Sequence, residues 1–281
     1  MPMPSMLDAH VAGWRGDLAP GLVRTPDGEL AIGGFRASAL TSAYGSPLHV
    51  IDLDVLSTAI AQFAAACEPH GIEIAYSGKA LLCAALARFL SAKPLALDVC
   101  SLGELVSAER GGFPAARMRM HGCGKSDDEL QAAADGRVGE TIIDGLEEID
   151  RLGALHRDGR RIDVLLRVNT GIEAHTHAFV RTSGENSKFG IAAHLLPAAL
   201  ERAGAYPGLN VRGLHSHIGS QIFDVDAFAA NIDVLVDLYA QCVLAGHRMD
   251  TLNVGGGFGV ESSGDQELSL IHISEPTRQA E

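Results

Sequence analysis

From about residue 47 the chain alternates short β-branched runs with stretches of helical period, and no other feature limits its fold as strongly. Candidate strands are Leu48–Asp52, Glu73–Ser77, Leu95–Val99, Arg117–His121, Glu140–Asp144, Ile162–Asn169, Leu209–Ile218 and Thr251–Val254. Between most of them lie Ala/Leu-rich segments such as Val55–Cys67, Ala80–Leu90 and Ala227–Ala245, whose apolar residues recur at helical spacing. Strand, helix, strand in strict succession requires crossover connections, so the strands run parallel and helices cover them. Eight such strands predict a closed (β/α)8 barrel of the α/β class, with an open doubly wound sheet as the competing arrangement.

Two regions fall outside this rhythm. Residues 1–46 are punctuated by Pro and Gly, with a short strand predicted at Glu29–Ile32, and read as an N-terminal extension that contributes to a second domain. Thr170–Gly190 has no clear period. A structureless stretch of that length inside a compact fold usually carries function. The predicted barrel domain is then 47–264. Beyond it, the string LSLIHISEPTRQAE from Leu268 to Glu281 follows neither helical nor strand logic. It resembles the out-of-frame translation of sequencing-adapter DNA. Residues 265–281 are therefore expected to be artefactual, with the native reading stopping near Gly264–Glu267.

Composition narrows the function classes. Lys+Arg of 22 against Asp+Glu of 35 gives a net charge of −13, which argues against a nucleic-acid or anionic-membrane surface. No apolar run reaches the roughly 18 residues needed to cross a bilayer, and Met1–Trp14 lacks the basic and apolar regions of a secretory signal. Cys67, Cys83, Cys100, Cys123 and Cys242 are odd in number and scattered, so they read as reduced thiols in a cytoplasmic protein.

Several chemistry-bearing residues fall at predicted strand ends, where folds of this kind gather their sites. In Tyr76-Ser77-Gly78-Lys79-Ala80, Lys79 follows a strand and precedes a predicted helix start, so a partly desolvated amine could form a Schiff base with an aldehyde cofactor. After the last strand, Asn253-Val254-Gly255-Gly256-Gly257-Phe258-Gly259 offers consecutive glycines whose N–H groups can converge on a phosphate. No Gly-Lys-Ser/Thr follows, so it is not a P-loop, and the alternative is a plain tight turn. His215 and His217, placed on one side of a strand, suit either an H-x-H metal pair or a flat imidazole stacked on an aromatic cofactor. A metal would need a third ligand, for which His175 and His177 are available in the irregular loop. Asp98 and Ser101 lie at the end of another strand, with Ser101 and Glu104 spaced as a capping box. Arg167 interrupts an apolar strand and so needs an oxygen partner, and His121 through Lys125 (HGCGK) closes one more strand. Cys100 and Cys123 lack an adjacent base and read as small packed residues rather than nucleophiles. An amine for an aldehyde, glycines for a phosphate, an imidazole to stack and an arginine nearby together meet the requirements of pyridoxal 5′-phosphate.

On these residues the chain from about Gly45 to Val260 resembles the alanine-racemase-fold (fold type III) pyridoxal phosphate decarboxylases, and within them the diaminopimelate decarboxylase family. The matching segments are YSGKA (76–80), DVCSLGEL (98–105), HGCGK (121–125), GIEAHTHAF (171–179), SKFG (187–190), HSHIGSQIFD (215–224) and NVGGGFG (253–259). The resemblance implies that Lys79 binds the cofactor aldehyde, His217 stacks on its ring and Ser220 lies beside it. It also implies that Gly255, Gly256 and Gly257 hold the phosphate, Gly257 most directly, while Arg167, Asp98 and His121 support the cofactor. The implied reaction is decarboxylation of meso-2,6-diaminopimelate to L-lysine and CO2 by a cytoplasmic homodimer, with no metal. Related alternatives are an ornithine- or arginine-type decarboxylase and a non-catalytic pyridoxal phosphate-binding paralogue; a metal-dependent barrel hydrolase is the alternative from another class.

The sequence departs from that family late in the chain. The family's Glu-Pro-Gly-Arg segment, and the later β-domain carrying a catalytic cysteine and a substrate-binding tyrosine, have no counterpart. Glu275-Pro276-Thr277-Arg278 lacks the glycine and falls too early to replace the first. In the family the lysine-bearing strand opens the barrel. Leu48–Asp52 then becomes a crossing segment, Glu73–Ser77 the first strand, Thr251–Val254 the seventh, and the eighth is missing. The expectation is a fold incomplete at its C-terminal end, lacking most of a second domain, poorly stable and inactive by itself.

Overall fold

The computed structural model describes residues 21–156, 160–172 and 188–260. A small antiparallel sheet comes first: β1 (Leu22–Arg24), β2 (Leu30–Ile32) and β3 (Phe35–Arg36), followed by α1 (Ala37–Tyr44). The strand expected at Glu29–Ile32 is β2. Leu48–Asp52 forms no strand; Asp52 instead caps α2 (Leu53–Cys67), its carboxylate accepting from the N–H groups of Asp54 and Val55.

The alternation that follows is the one expected. In order come β4 (Ala75–Ser77), α3 (Ala84–Ser91), β5 (Ala96–Val99), α4 (Leu102–Arg110), β6 (Met118–Met120) and α5 (Asp127–Ala134). Next come β7 (Glu140–Ile143), α6 (Leu146–Gly153), β8 (Ile162–Asn169), β9 (Ile191–Ala192), α7 (Leu196–Gly204), β10 (Leu209–His215), α8 (Val225–Leu244) and β11 (Thr251–Asn253). Strands β4, β5, β6, β7, β8, β10 and β11 pair in parallel in that spatial order, and β9 adds to the end of β8. Among the described residues the path is open, with β4 and β11 as its edges. Among the described residues this is a curled, incomplete barrel sheet whose main path has seven strands, as the resemblance implied, rather than the eight read from the alternation alone.

Side-chain alternation gives the sheet two different faces. Val164, Leu166 and Val168 on β8 join the core beneath the helices, while Asp163, Leu165 and Arg167 face the other side. From the helices, Leu90, Leu105, Leu130, Ile149 and Leu152 are fully buried against the sheet. Each contributes roughly 1.5–3 kcal/mol by burial. Between Val211 and Gly213 the β8–β10 register shifts by a bulge, and Gly213 then lies against Thr251, where a Cβ would sit 1.7 Å from that carbonyl oxygen. Only glycine allows β10 and β11 to pair there.

α8 corrects one expectation from composition: by length and hydropathy it is apolar enough to cross a membrane. Its Phe228, Ile232 and Leu235 are buried, and Asp226, Asp233 and Asp237 interrupt the opposite faces, the pattern of a core helix.

Candidate functional site at the strand ends

Each loop that leaves a strand's C-terminal end delivers a polar group to one place. After β4, Gly78 donates its N–H to the Asp98 carbonyl at 2.8 Å, and a Cβ there would sit 2.9 Å from that oxygen. This close approach holds the turn that presents Lys79, whose side chain is exposed to the mouth. The helix expected to begin at Ala80 starts only at Ala84, so Lys79 lies on a turn rather than at a helix start.

Beside it, Ser101 caps α4 as expected, accepting from the Glu104 N–H at 3.2 Å. The capping box is not closed, because Glu104 accepts from the Cys100 N–H at 2.7 Å instead. The true capping box is Ser126 with Glu129 at the start of α5, and the second Glu129 oxygen accepts from Leu102 at 3.0 Å. Burial pushes the Cys100 thiol up to about 11, which keeps it protonated beside Lys79 at neutral pH.

The two histidines do not share one face of a strand, although their spacing in the sequence suggests it. β10 ends at His215 rather than Ile218, so His217 lies in the turn beyond the strand and the expected alternation does not extend to it. His215 is buried and packs edge-on against His121, ring centroids 5.2 Å apart. His121 Nε2 in turn lies 3.3 Å from an Asp98 carboxylate oxygen. His217 Nδ1 accepts the Gly256 N–H at 3.3 Å, which fixes the ring plane and, in the neutral ring, leaves the proton on Nε2. Burial, followed by the cations Arg167 and Lys79, lowers His217 to about 4, so it is neutral at physiological pH. His215 is also lowered well below the usual imidazole value, again chiefly by burial. Among the described residues no group of three or more His, Cys, Asp or Glu side chains is placed to hold a metal ion; His175 and His177 lie outside them.

The glycine loop is a shaped cradle. Gly255 and Gly257 have φ of 76° and 94°, and a Cβ on Gly257 would lie 1.8 Å from the Gly219 carbonyl oxygen. The Gly255 N–H goes to Asn253 and the Gly256 N–H to His217. Among the described residues the Gly257 N–H has no such partner and is the one available to an anion. Ser220 is exposed next to this contact.

Arg167 has the oxygen partner its position demanded: Asp144 at 2.8 Å, both side chains largely buried, with the Phe189 ring 5.0 Å from the guanidinium carbon. Sequence reasoning missed Asp144, Glu148 and Asn231. Asn231, fully buried on α8, hydrogen-bonds the Ser216 hydroxyl at 2.8 Å and accepts from Thr170 at 2.8 Å, so it ties the histidine turn to the end of β8. An asparagine at helical spacing between Phe228 and Leu235 was the available signal. Lys79, Asp98, His121, Arg167, His217 and the glycine loop thus meet at one mouth; most of GIEAHTHAF lies outside the described residues.

The chain is similar to known proteins. The family described as pyridoxal-dependent decarboxylase, pyridoxal binding domain, matches residues 54–280. Diaminopimelate decarboxylase of Mycobacterium bovis is 40% identical over 241 residues, covering 83% of this chain and 54% of that protein. That of Bacillus subtilis is 38% identical over 260 residues, covering 88% and 57%. The chain therefore spans about half the length of these curated relatives. A diaminopimelate decarboxylase structure from M. jannaschii in complex with L-lysine superposes with a TM-score of 0.84 at 24% identity, covering 92% of this chain and 62% of that one. That likeness shows a shared fold, and the family match over most of the chain shows kinship: this chain belongs to the pyridoxal-dependent decarboxylases, as their pyridoxal binding domain.

Proposed function

We propose that the full-length protein carrying this chain decarboxylates meso-2,6-diaminopimelate with pyridoxal 5′-phosphate, giving L-lysine and CO2. The observation that carries this reading is the meeting of Lys79, His217, Arg167 and the glycine cradle at one set of strand ends, in a chain 38–40% identical to proteins named for that reaction.

The residues fit the cofactor. The amine of Lys79 stands at an open mouth where an aldehyde can reach it. The Gly257 N–H, in a loop too tight for any side chain at that position, suits a phosphate oxygen. His217 supplies a flat ring, held in orientation by Gly256 and neutral above about pH 4, so it covers an aromatic face without adding charge. Arg167, paired with Asp144, lies near enough to His217 to act on it electrostatically. Asp98 and His121 back the mouth from two neighbouring strands, and Ser220 edges the cradle. When bound, the cofactor supplies an electron sink for the electrons left by CO2. The chain's own part is to tether, orient and keep the cofactor's surroundings fixed. Residues 1–46 belong in this reading to the second domain, and the complete protein is a cytoplasmic homodimer acting on a small amino acid.

Released CO2 is measured for the full-length gene product and its Lys79→Ala variant, with pyridoxal phosphate and meso-diaminopimelate, ornithine, arginine or lysine in turn. Release from meso-diaminopimelate alone, abolished by the substitution, is expected. Preference for ornithine or arginine overturns the substrate; equal release by both proteins overturns the mechanism.

A further inference from the structure

Lys125 is the last residue of the HGCGK segment, and the proposed chemistry gives it no task. Its side chain is buried to within 1%. The ammonium donates to the carbonyls of Gly122, at 2.9 Å, and Ile142, and to Glu148 Oε1 at 2.7 Å. All three of its N–H donors are therefore used. The other Glu148 oxygen accepts the Asp144 N–H at 2.7 Å, and the Asp144 carboxylate accepts from Arg167 at 2.8 Å. One buried chain of charge thus runs from the loop after β6, across the end of β7 and the first turn of α6, to the end of β8.

Stability alone does not call for such a chain, since an apolar pair of similar volume commonly stabilises a fold as well as a buried ion pair. The pair differs from an apolar one in fixing directions. Lys125 pins the loop that begins with His121 and turns at Gly122 and Gly124, both of positive φ. Glu148 pins the backbone of the residue that holds Arg167.

We infer that Lys125 is a positioning residue: acting through Glu148 and Asp144, it sets the placement of Arg167, and through Gly122 that of His121, beside the cofactor seat. The inference rests on the pyridoxal phosphate reading above. The groups that bear on His217 are Arg167 from β8, Lys79 after β4 and His121 after β6, with Asp98 from β5 acting in the opposite sense. Two of these cations or neighbours are the ones Lys125 holds.

The double variant Lys125→Met/Glu148→Leu removes both charges and keeps the volume apolar. It is made in the full-length gene product and titrated with pyridoxal phosphate across pH 5–8, following the visible absorption of the bound cofactor, with a thermal melt alongside. The expected result is a lowered melt, because the Gly122 and Ile142 carbonyls and the Asp144 N–H lose their partners. Well below that melt, cofactor affinity is expected to be about tenfold weaker, the scale on which outer partners of a site act, with the acid limb of the binding profile displaced upward. If the double variant fails to fold, Glu148→Gln, isosteric and uncharged, is read in the same way and the same two changes are expected. Unchanged affinity and pH profile in a folded variant, or affinity lost only in proportion to stability, overturns the positioning role. A wild-type protein that takes up no pyridoxal phosphate instead defeats the cofactor reading, and the inference falls with it.

Discussion

Replacing Gly257 by alanine tests whether the cradle is shaped as described. The new Cβ would lie 1.8 Å from the Gly219 carbonyl oxygen, 2.9 Å from its carbon and 3.2 Å from Ser220 Cα. Every one of these atoms is backbone, so no side chain can turn away, and relief requires the glycine loop and the histidine turn to part by about 1.5 Å, to the usual carbon–oxygen separation. With φ at 94°, alanine also carries about 1–2 kcal/mol of left-handed strain. Overpacking adds about 1–3 kcal/mol, for a total of about 2–5 kcal/mol. Gly256→Ala is the control, because a Cβ there meets nothing within 4 Å and should change stability by no more than about 0.5 kcal/mol. Urea denaturation followed by circular dichroism reads both variants without cofactor. A Gly257→Ala protein as stable as the wild type, or a Gly256→Ala protein equally damaged, would refute the geometry.

Stability should also depend on pH through His217. Its proton affinity falls from 6.5 to about 4 on folding, so between those values the unfolded chain holds more protons than the folded one. Stability is therefore full above about pH 6.5, declines by on the order of 3 kcal/mol as pH falls to about 4, and loses nothing further to this group below that. His215 acts in the same direction. Denaturation curves of His217→Gln should show a shallower decline across this window. Thiol labelling offers a separate check: at pH 7.5, with Cys100 raised to about 11 and half-buried, iodoacetamide should modify the exposed Cys83 and Cys123 well before Cys100 in a peptide map.

Much of this was legible in the sequence because it depends on period and on turn chemistry. The β8 strand was readable to its end residues, since IDVLLRVN alternates between a face that packs under helices and a face that does not. Lys79, Arg167 and the triple glycine were found by the same logic: each sits where a strand ends. The errors were ones of partnership. Glu104 has the spacing of a capping box yet accepts from the N–H of Cys100, the residue before the Ser101 cap. His217 stands outside its strand because the Ser216 N–H pairs with the Asn253 carbonyl, after which the chain turns away. The pairing of Lys125 with Glu148 was invisible for a plainer reason: a buried ion pair reads as two surface charges until the fold brings its members, 23 residues apart, together.

The account's central claim is that this mouth is a pyridoxal phosphate seat built around Lys79. Incubating the full-length gene product with pyridoxal phosphate, reducing it with borohydride and mapping the peptides tests that claim at the level of one atom. A pyridoxyl group on Lys79, absent from the Lys79→Ala protein, is the predicted result. A map in which Lys79 is unmodified, or in which the label falls on Lys93 or Lys188 instead, would contradict it.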